Sequence, residues 1–181
     1  MRVFALLLWA AASVRASDPV AFPGAAEAKD PTGRFTVVYV APDAKAVDGG
    51  QHELRLRVEK SGAARHLMFF GRSAAVLWAP DGNALAVTDR RGSDTWTVLV
   101  FFSEKPGETN LDAELARSLG PLPERTGNHH VYLEAVRWLT AKTLRVRLRG
   151  YGDRDPQGFD ELFDYELGGR FRRATGLDRP R

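Results

Sequence analysis

The sequence predicts an all-β chain of about three antiparallel meanders interrupted by one short helix. Three observations carry this. Two segments alternate strictly between apolar and charged residues, the period of a half-buried strand. Gly-, Pro- and Asp-rich turns separate the apolar runs at short intervals. A Val-x-Trp, turn, Leu-x-Val pattern occurs at Val76 and again at Val136.

The chain opens with Arg2, an uncharged apolar run from Val3 to Val14, and small residues ending at Ala16. This is the pattern of a secretory leader cut before Ser17. The run has twelve residues, short of the roughly 20 a spanning helix needs. No later segment is apolar enough to span, so no membrane span is expected once the leader is gone. The 181 residues include no cysteine, so neither a disulfide framework nor a lipid-anchoring cysteine is available. Arg2 and Arg15 account for two of the 26 basic residues, leaving 24 against 23 acids, a net of +1. The charges are interspersed, without the concentrated basic stripe of a nucleic-acid protein, so no nucleic acid is expected as a partner.

Residues 17–32 read as an extended lead-in to one domain over 33–175, with a loose tail over 176–181. Arg34–Val40 is β-branched and aromatic, a strand. In His52–Lys60, Leu54, Leu56 and Val58 share one face, and Arg55, Arg57 and Glu59 share the other. A Ser-Gly turn returns the chain over Ala64–Phe70. Ser73–Trp78 and Asn83–Val87 flank Ala79-Pro80-Asp81-Gly82, where proline presets the turn and glycine completes it. Thr95–Phe102 is a buried strand. Leu111, Leu115 and Leu119 then recur at helical spacing behind a Thr109/Asp112 capping pair, and Gly120-Pro121 ends that helix. His129–Leu139 and Thr143–Tyr151 are strands, the second with Leu144, Val146 and Leu148 inward and Arg145, Arg147 and Arg149 outward. Gly152–Gly158 reads as loop, Phe159–Leu167 as strand, and Arg170–Ala174 as its return.

Laid on one another, these segments give three meanders of up to four strands. The first lacks a clear strand and the second carries the helix. Repetition at this scale marks blades or solenoid turns. The stretch VLWAPDGNALAVTD (76–89) resembles the TolB-type β-propeller repeat, whose blades pass from an aromatic through a Pro-Asp-Gly turn to a short apolar strand. The match is clearest over residues 76–87. HELRLRVEKSGAARHLM is similar to the closing half of such a blade. The last repeat departs from the pattern, with Leu139-Thr140-Ala141-Lys142 in place of Pro-Asp-Gly. The resemblance implies a propeller-like fold that works by binding a protein, a cell-envelope component or a small molecule. A β-sandwich is the alternative with the same strands. Closed propellers use about 4–8 blades, so three sheets form an open wedge or close as a homodimer.

For chemistry, Asp153, Asp155, Gln157 and Asp164 fall at positions 1, 3, 5 and 12 of a calcium-loop template, with Gly158 at position 6. Calcium is the one cofactor this suggests, for a calcium-stabilised structural domain. His129 and His130 are adjacent, so in a strand they point to opposite faces. His130, Tyr132 and Glu134 share one. Trp78, Trp96 and Trp138 suit either core packing or ring stacking. Ser73, Ser93, Ser103 and Ser118 lack the glycine-flanked elbow of a hydrolase nucleophile. No phosphate loop or dinucleotide fingerprint is present. The expectation is an exported, periplasmic or secreted, non-catalytic binding domain, with an exported hydrolase of unrecognised site as the alternative. Its loops for recognition are Asp43–Gly50, Asp89–Asp94 and Gly152–Gly158.

Overall fold

The computed structural model describes residues 17–43, 45, 50–119, 130–153 and 155–174. The expected leader, the tail over 176–181, His129 and the side chains of Leu119 and Asp155 lie outside the described residues. In chain order the strands are β1 (Val20–Phe22), β2 (Glu27–Lys29), β3 (Phe35–Val40), β4 (His52–Val58), β5 (Ala64–Phe70), β6 (Ser73–Trp78), β7 (Ala84–Arg90), β8 (Thr95–Phe102) and β9 (Glu108–Asn110). Helix α1 (Leu111–Leu119) follows, then β10 (His130–Thr140), β11 (Thr143–Gly152), β12 (Asp155–Glu166) and β13 (Arg170–Arg173).

The strands form three antiparallel blades, so the all-β class with one helix holds. Blade 1 is the sheet β2-β3-β4-β5, and β10-β11-β12-β13 is blade 3. Blade 2 is β6-β7-β8 with β9 on one edge and β1 on the other. Blades 2 and 3 join through a short parallel pairing of β8 with β10, Thr95 beside Val131 and Trp96 beside Tyr132.

The repeat is visible in the backbone. In blade 2, Ala79 N–H donates to Ala84 O at 2.9 Å and Gly82 N–H to Ala79 O at 3.0 Å. In blade 1, Asp30 N–H donates to Phe35 O at 3.0 Å and Gly33 N–H to Asp30 O at 3.1 Å. Asp30-Pro31-Thr32-Gly33 is therefore the counterpart of Ala79-Pro80-Asp81-Gly82. A third bond recurs in all three blades. The residue closing the third strand donates to the first turn: Glu59 to Arg34 O, Ser103 to Asn83 O, and Leu167 to Lys142 O, at 2.9, 3.0 and 2.9 Å.

Residues 17–32 are thus not a lead-in outside the domain. They supply β1 and β2, and they bury Phe22 and Ala28 to 1% and 3% exposure. Ser17 Oγ also donates to Trp78 O at 3.2 Å. β2 is the strand blade 1 lacked in the sequence reading.

Blade 2 is the central layer. Its Val76, Trp78, Leu85, Val87, Leu99 and Phe101 pack against Val37, Leu54, Leu56 and Phe70 of blade 1. Its other face, Leu77, Ala84, Ala86, Val98 and Val100, packs against Leu133, Trp138, Leu144, Val146 and Phe163 of blade 3. Burial on both faces explains why β7 reads Ala-Leu-Ala-Val without alternation. Each fully buried Leu, Val or Phe contributes about 1.5–3 kcal/mol of transfer free energy, and two such seams hold the cysteine-free chain together. Among the described residues no core joins blade 3 back to blade 1.

Two local expectations need correction. The helix cap is Asn110, whose Oδ1 accepts from Asp112 N and Ala113 N at 2.9 and 3.2 Å, rather than Thr109. Leu111 and Leu115 pack as the spacing requires. β12 begins at Asp155, inside the expected loop. Gly158 sits there at φ 65°, and a Cβ on it would strike the carbonyl of Gly150 on β11. The glycine thus permits a bulge that keeps β12 against β11, where the register shifts between Gly150 and Gly152. β10 carries the expected bulge, as register shifts after Ala135 and after Trp138.

Candidate functional site

A cleft of about 390 Å³ opens where blade 2 meets blade 3. The topology puts its residues at one end of the sheets. Arg72 lies in the β5–β6 connection, Arg90 at the end of β7, and Ser93 in the β7–β8 loop. Trp96 starts β8, Tyr132 is near the start of β10, and Arg149 and Tyr151 are near the end of β11.

Strand register brings the rings and guanidiniums together. Tyr132 pairs with Arg149 across β10 and β11, and His130 with Tyr151. The His130 and Tyr151 rings stack at 4.4 Å. Across the seam, Trp96 and Tyr132 meet edge to face at 5.0 Å. Two further bonds tie the β7–β8 loop to blade 3. Tyr132 Oη donates to Ser93 O at 2.7 Å, and Val131 N–H donates to Asp94 O at 2.8 Å. The phenol's single hydrogen is then spent on a carbonyl, so Nδ1 of His130, 3.0 Å from the same oxygen, is the donor of that pair. Burial pushes the Tyr132 phenol above its usual range, and Tyr151 adds to that push.

The cleft is cationic. The Arg90 guanidinium lies 4.6 Å over the Trp96 ring. Arg149 lies 5.0 Å from the same ring and 5.4 Å from that of Tyr132. Cation–π contacts of this kind are worth about 0.5–1 kcal/mol when exposed. Among the described residues, Nε of Arg90 and Nε of Arg149 are buried without a hydrogen-bond partner. The neighbouring acids are committed elsewhere or sit at the margin. Asp89 accepts from Arg91 at 2.7 Å. Glu134 approaches Arg149 only to 3.9 Å. The carboxylate of Asp94 folds over Gly92, where a Cβ would lie 2.6 Å from its Oδ1. Like charges within 10 Å at an effective dielectric of 40–80 repel by on the order of 0.5–1 kcal/mol, which an anion in the cleft would offset.

A second cleft, about 580 Å³, lies between α1 and the β12–β13 turn. Its charged side chains, Glu114 and Arg117, pair with each other at 2.7 Å, whereas the first cleft is lined by three arginines and no acid.

Of the four calcium-template residues, Asp164 is engaged apart from the others. Asp153 is exposed in the β11–β12 turn, Asp155 begins β12, and Gln157 is exposed two residues on. Asp164 lies near the far end of the same strand. It accepts two bonds from Arg145, Nε to Oδ1 at 2.8 Å and Nη2 to Oδ2 at 3.1 Å. From Phe159 to Asp164 the strand pairs in unbroken register with Gly150 to Arg145 of β11, which at about 3.3 Å per residue carries Asp164 away from the Asp153–Gln157 end. Among the described residues no three His, Asp or Glu side chains form a metal-binding group.

Of the described tryptophans, Trp78 and Trp138 are core, and Trp96 lines the cleft. The nominated loops Asp43–Gly50, Asp89–Asp94 and Gly152–Gly158 are the second-to-third strand connections of the three blades, although Gly152–Gly158 runs partly into β12. Only Asp43, Lys45 and Gly50 of the first are described. Sequence reading did not single out Arg72, Arg90, Arg149 or Tyr151 as site residues. Alternation placed Arg149 outward, but nothing local signalled that β8 runs beside β10.

No family model and no curated protein matches the chain. Among solved structures it is similar to the β-propeller domain of the Trilobed protease from Pyrococcus furiosus, which has an open velcro topology. The TM-score is 0.54 at 13% identity, over 88% of this chain and 43% of that one. The chain thus spans less than half of the length of that solved chain, and the likeness is one of fold. The chain is propeller-like in build, three blades stacked with two apolar seams between them.

Proposed function

We propose that this chain is an exported, non-catalytic binding domain built of TolB-type blades. It acts in the periplasm or outside the cell on a protein or cell-envelope component. The leader pattern over residues 1–16 supports export, and the Val76–Val87 motif together with its Asp30–Gly33 counterpart supports the blade type. The observation that carries the binding reading is the seam cleft itself. Its charged side chains are arginines, Arg72, Arg90 and Arg149, which hold their charge and donate hydrogen bonds without exchanging protons near neutral pH. Such a lining suits recognition rather than acid–base chemistry.

The test is a photo-crosslinking amino acid placed at Tyr151 in the cleft, with Lys60 on the blade 1 hairpin as comparison, in cells making the full chain. Export is scored by cell fractionation with the leader present and removed. The reading requires leader-dependent export and an adduct from position 151 that position 60 does not give. Retention in the cytoplasm, or identical adducts from both positions, would overturn it.

A further inference from the structure

We infer that the seam cleft is a site for an oxyanion carried on a planar apolar body, with Arg90 and Arg149 holding the anion and Trp96, Tyr132 and Tyr151 facing the body. This rests on the binding reading above and names its ligand chemistry.

The argument begins with the guanidiniums. Each lies over the Trp96 ring, Arg90 at 4.6 Å and Arg149 at 5.0 Å. In a stacked guanidinium the ring occupies one face, and the N–H groups point outward in its plane. Those in-plane donors match the planar pair of oxygens on a carboxylate or the face of a phosphoryl group. Two of them, the Nε groups of Arg90 and Arg149, are buried and meet no acceptor among the described residues. Both Nε atoms are shut off from the cleft, so the terminal Nη groups, one of them 3.9 Å from Glu134, are the donors that would meet an oxyanion. Arg72, on the rim, adds a third positive charge and makes the approach of an anion favourable at longer range.

The second half of the ligand follows from the walls. Tyr151 is 48% exposed, and its ring stacks on His130 rather than packing into the core. Trp96 and Tyr132 complete an aromatic corner beside it. Tyr132 is only 8% exposed, so the open stacking area for a flat or weakly polar body is chiefly the ring of Tyr151 beside the cations. The volume, about 390 Å³, lies at the lower end of small-ligand sites. It suits one ring or peptide unit and its charged group. The floor is fixed before binding, because Ser93 O and Asp94 O anchor the loop to Tyr132 and Val131. Little ordering is left for the ligand to cover.

A carboxylate and a phosphate share this chemistry, so the test includes both. The purified protein is titrated with hippurate, with the neutral amide of hippurate, and with phenyl phosphate. The Trp96 indole N–H is followed by NMR and affinity by calorimetry. Expected is saturable movement of the Trp96 signal with at least one anion, binding at least tenfold tighter than the amide, and weakening as salt rises. Arg90→Gln and Arg149→Gln each reduce affinity about tenfold or more, whereas Arg55→Gln on the outer face of blade 1 does not. Tighter binding of hippurate assigns a carboxylate, and tighter binding of phenyl phosphate assigns a phosphoryl group. The amide binding as well as hippurate, no movement of Trp96 with either anion, or unchanged affinity in both arginine variants would each overturn the inference. If a variant fails to fold, as its NMR dispersion will show, the salt and amide comparisons on the native protein still decide. A position-specific adduct at Tyr151 alongside any of these failures would leave the binding reading intact and remove only the oxyanion.

Discussion

The indole N–H of Trp138 donates to the carbonyl of Leu77 at 3.0 Å, across the seam from blade 3 to blade 2. Trp78 repeats the contact one blade earlier, reaching Ala28 O at 3.1 Å. Leu77 and Ala28 are the residues before the last in β6 and β2. Each tryptophan therefore latches its own blade to the first strand of the preceding one. Both rings are buried, and losing the indole N–H removes one of the two hydrogen bonds to a carbonyl that is also paired in its strand ladder. Trp138→Phe and Trp78→Phe are each expected to cost about 2–3 kcal/mol from the lost bond and the smaller ring. Urea denaturation followed by circular dichroism measures this, and a loss below about 0.5 kcal/mol would show that the latch is not energetic.

Gly82 and Gly33 occupy equivalent turns at φ 69° and 72°, yet their surroundings differ. A Cβ on Gly33 meets nothing within 4 Å, whereas one on Gly82 collides with the carboxylate of Asp30. That carboxylate has no freedom to retreat. Its Oδ1 accepts from Phe35 N at 2.9 Å, and its Oδ2 accepts from the N–H and hydroxyl of Thr32. Gly33→Ala is expected to cost about 1 kcal/mol for the left-handed backbone. Gly82→Ala is expected to cost about 3 kcal/mol, because overpacking is added. Equal melting temperatures for the two variants would contradict the locked position of Asp30.

What the sequence made legible was whatever one strand or one turn determines alone. β4 and β11 show their inward leucines and outward arginines by period two. The Pro-Asp-Gly hairpin shows its turn chemistry. The strands it hid are those whose reason lies elsewhere. β1 and β2 have three residues each, too few for a period, and they exist because Phe22 and Ala28 fill a core made by other segments. The start of β12 reads as loop because Asp, Pro and Gly favour turns, and only the neighbouring Gly150 reveals why Gly158 is needed. The cleft was hidden for the same reason. Trp96 and Tyr132 lie 36 residues apart in sequence and meet through one short parallel pairing.

The buried carboxylate of Asp89 gives a pH dependence. Burial raises its pKa above the ordinary 3.8, against the pull of Arg91. The folded state then holds this proton to higher pH than the unfolded chain does. The group costs stability as pH rises from about 4 through its folded pKa, and the cost is complete above it. Asp112 shifts the same way, through burial opposed by the Thr97 hydroxyl and Val98 N–H. Asp89→Asn removes the charge, and Arg91, which is largely exposed, loses little. The variant is expected to be more stable than the parent at pH 7, and the gain to vanish toward pH 4. Urea melts at both pH values decide, and a difference that does not change with pH would refute the assignment.

The open stack is expected to be a monomer. A homodimer of six blades would have to bury the two outer faces, and both are already internally paired. Blade 1 carries Arg55 with Glu53 and Arg57 with Glu59 and Glu27. Blade 3 carries Arg145 with Asp164 and Arg147 with Asp160. Desolvating these pairs would cost more than the exposed Phe69 could return. Light scattering on a sizing column should give the mass of one chain across micromolar concentrations, and a dimer mass would show that these faces do meet.

Arg145 is the most buried arginine in those outer ladders, 8% exposed, and its fork closes on both oxygens of Asp164. Asp164→Ala leaves that guanidinium without its bidentate partner on a face walled by neighbouring strands. The expected loss is about 1–3 kcal/mol, with Asp164→Asn intermediate because it keeps one acceptor. The same commitment bears on calcium. A carboxylate held by Arg145 at one end of β12 cannot also join Asp153 and Gln157 at the other. Thermal melts in millimolar calcium and in chelator are therefore expected to coincide. A calcium-dependent rise in the melting temperature that Asp164→Asn leaves unchanged would place any ion away from this strand. A rise that the same variant abolishes would mean that β12 opens to bind it.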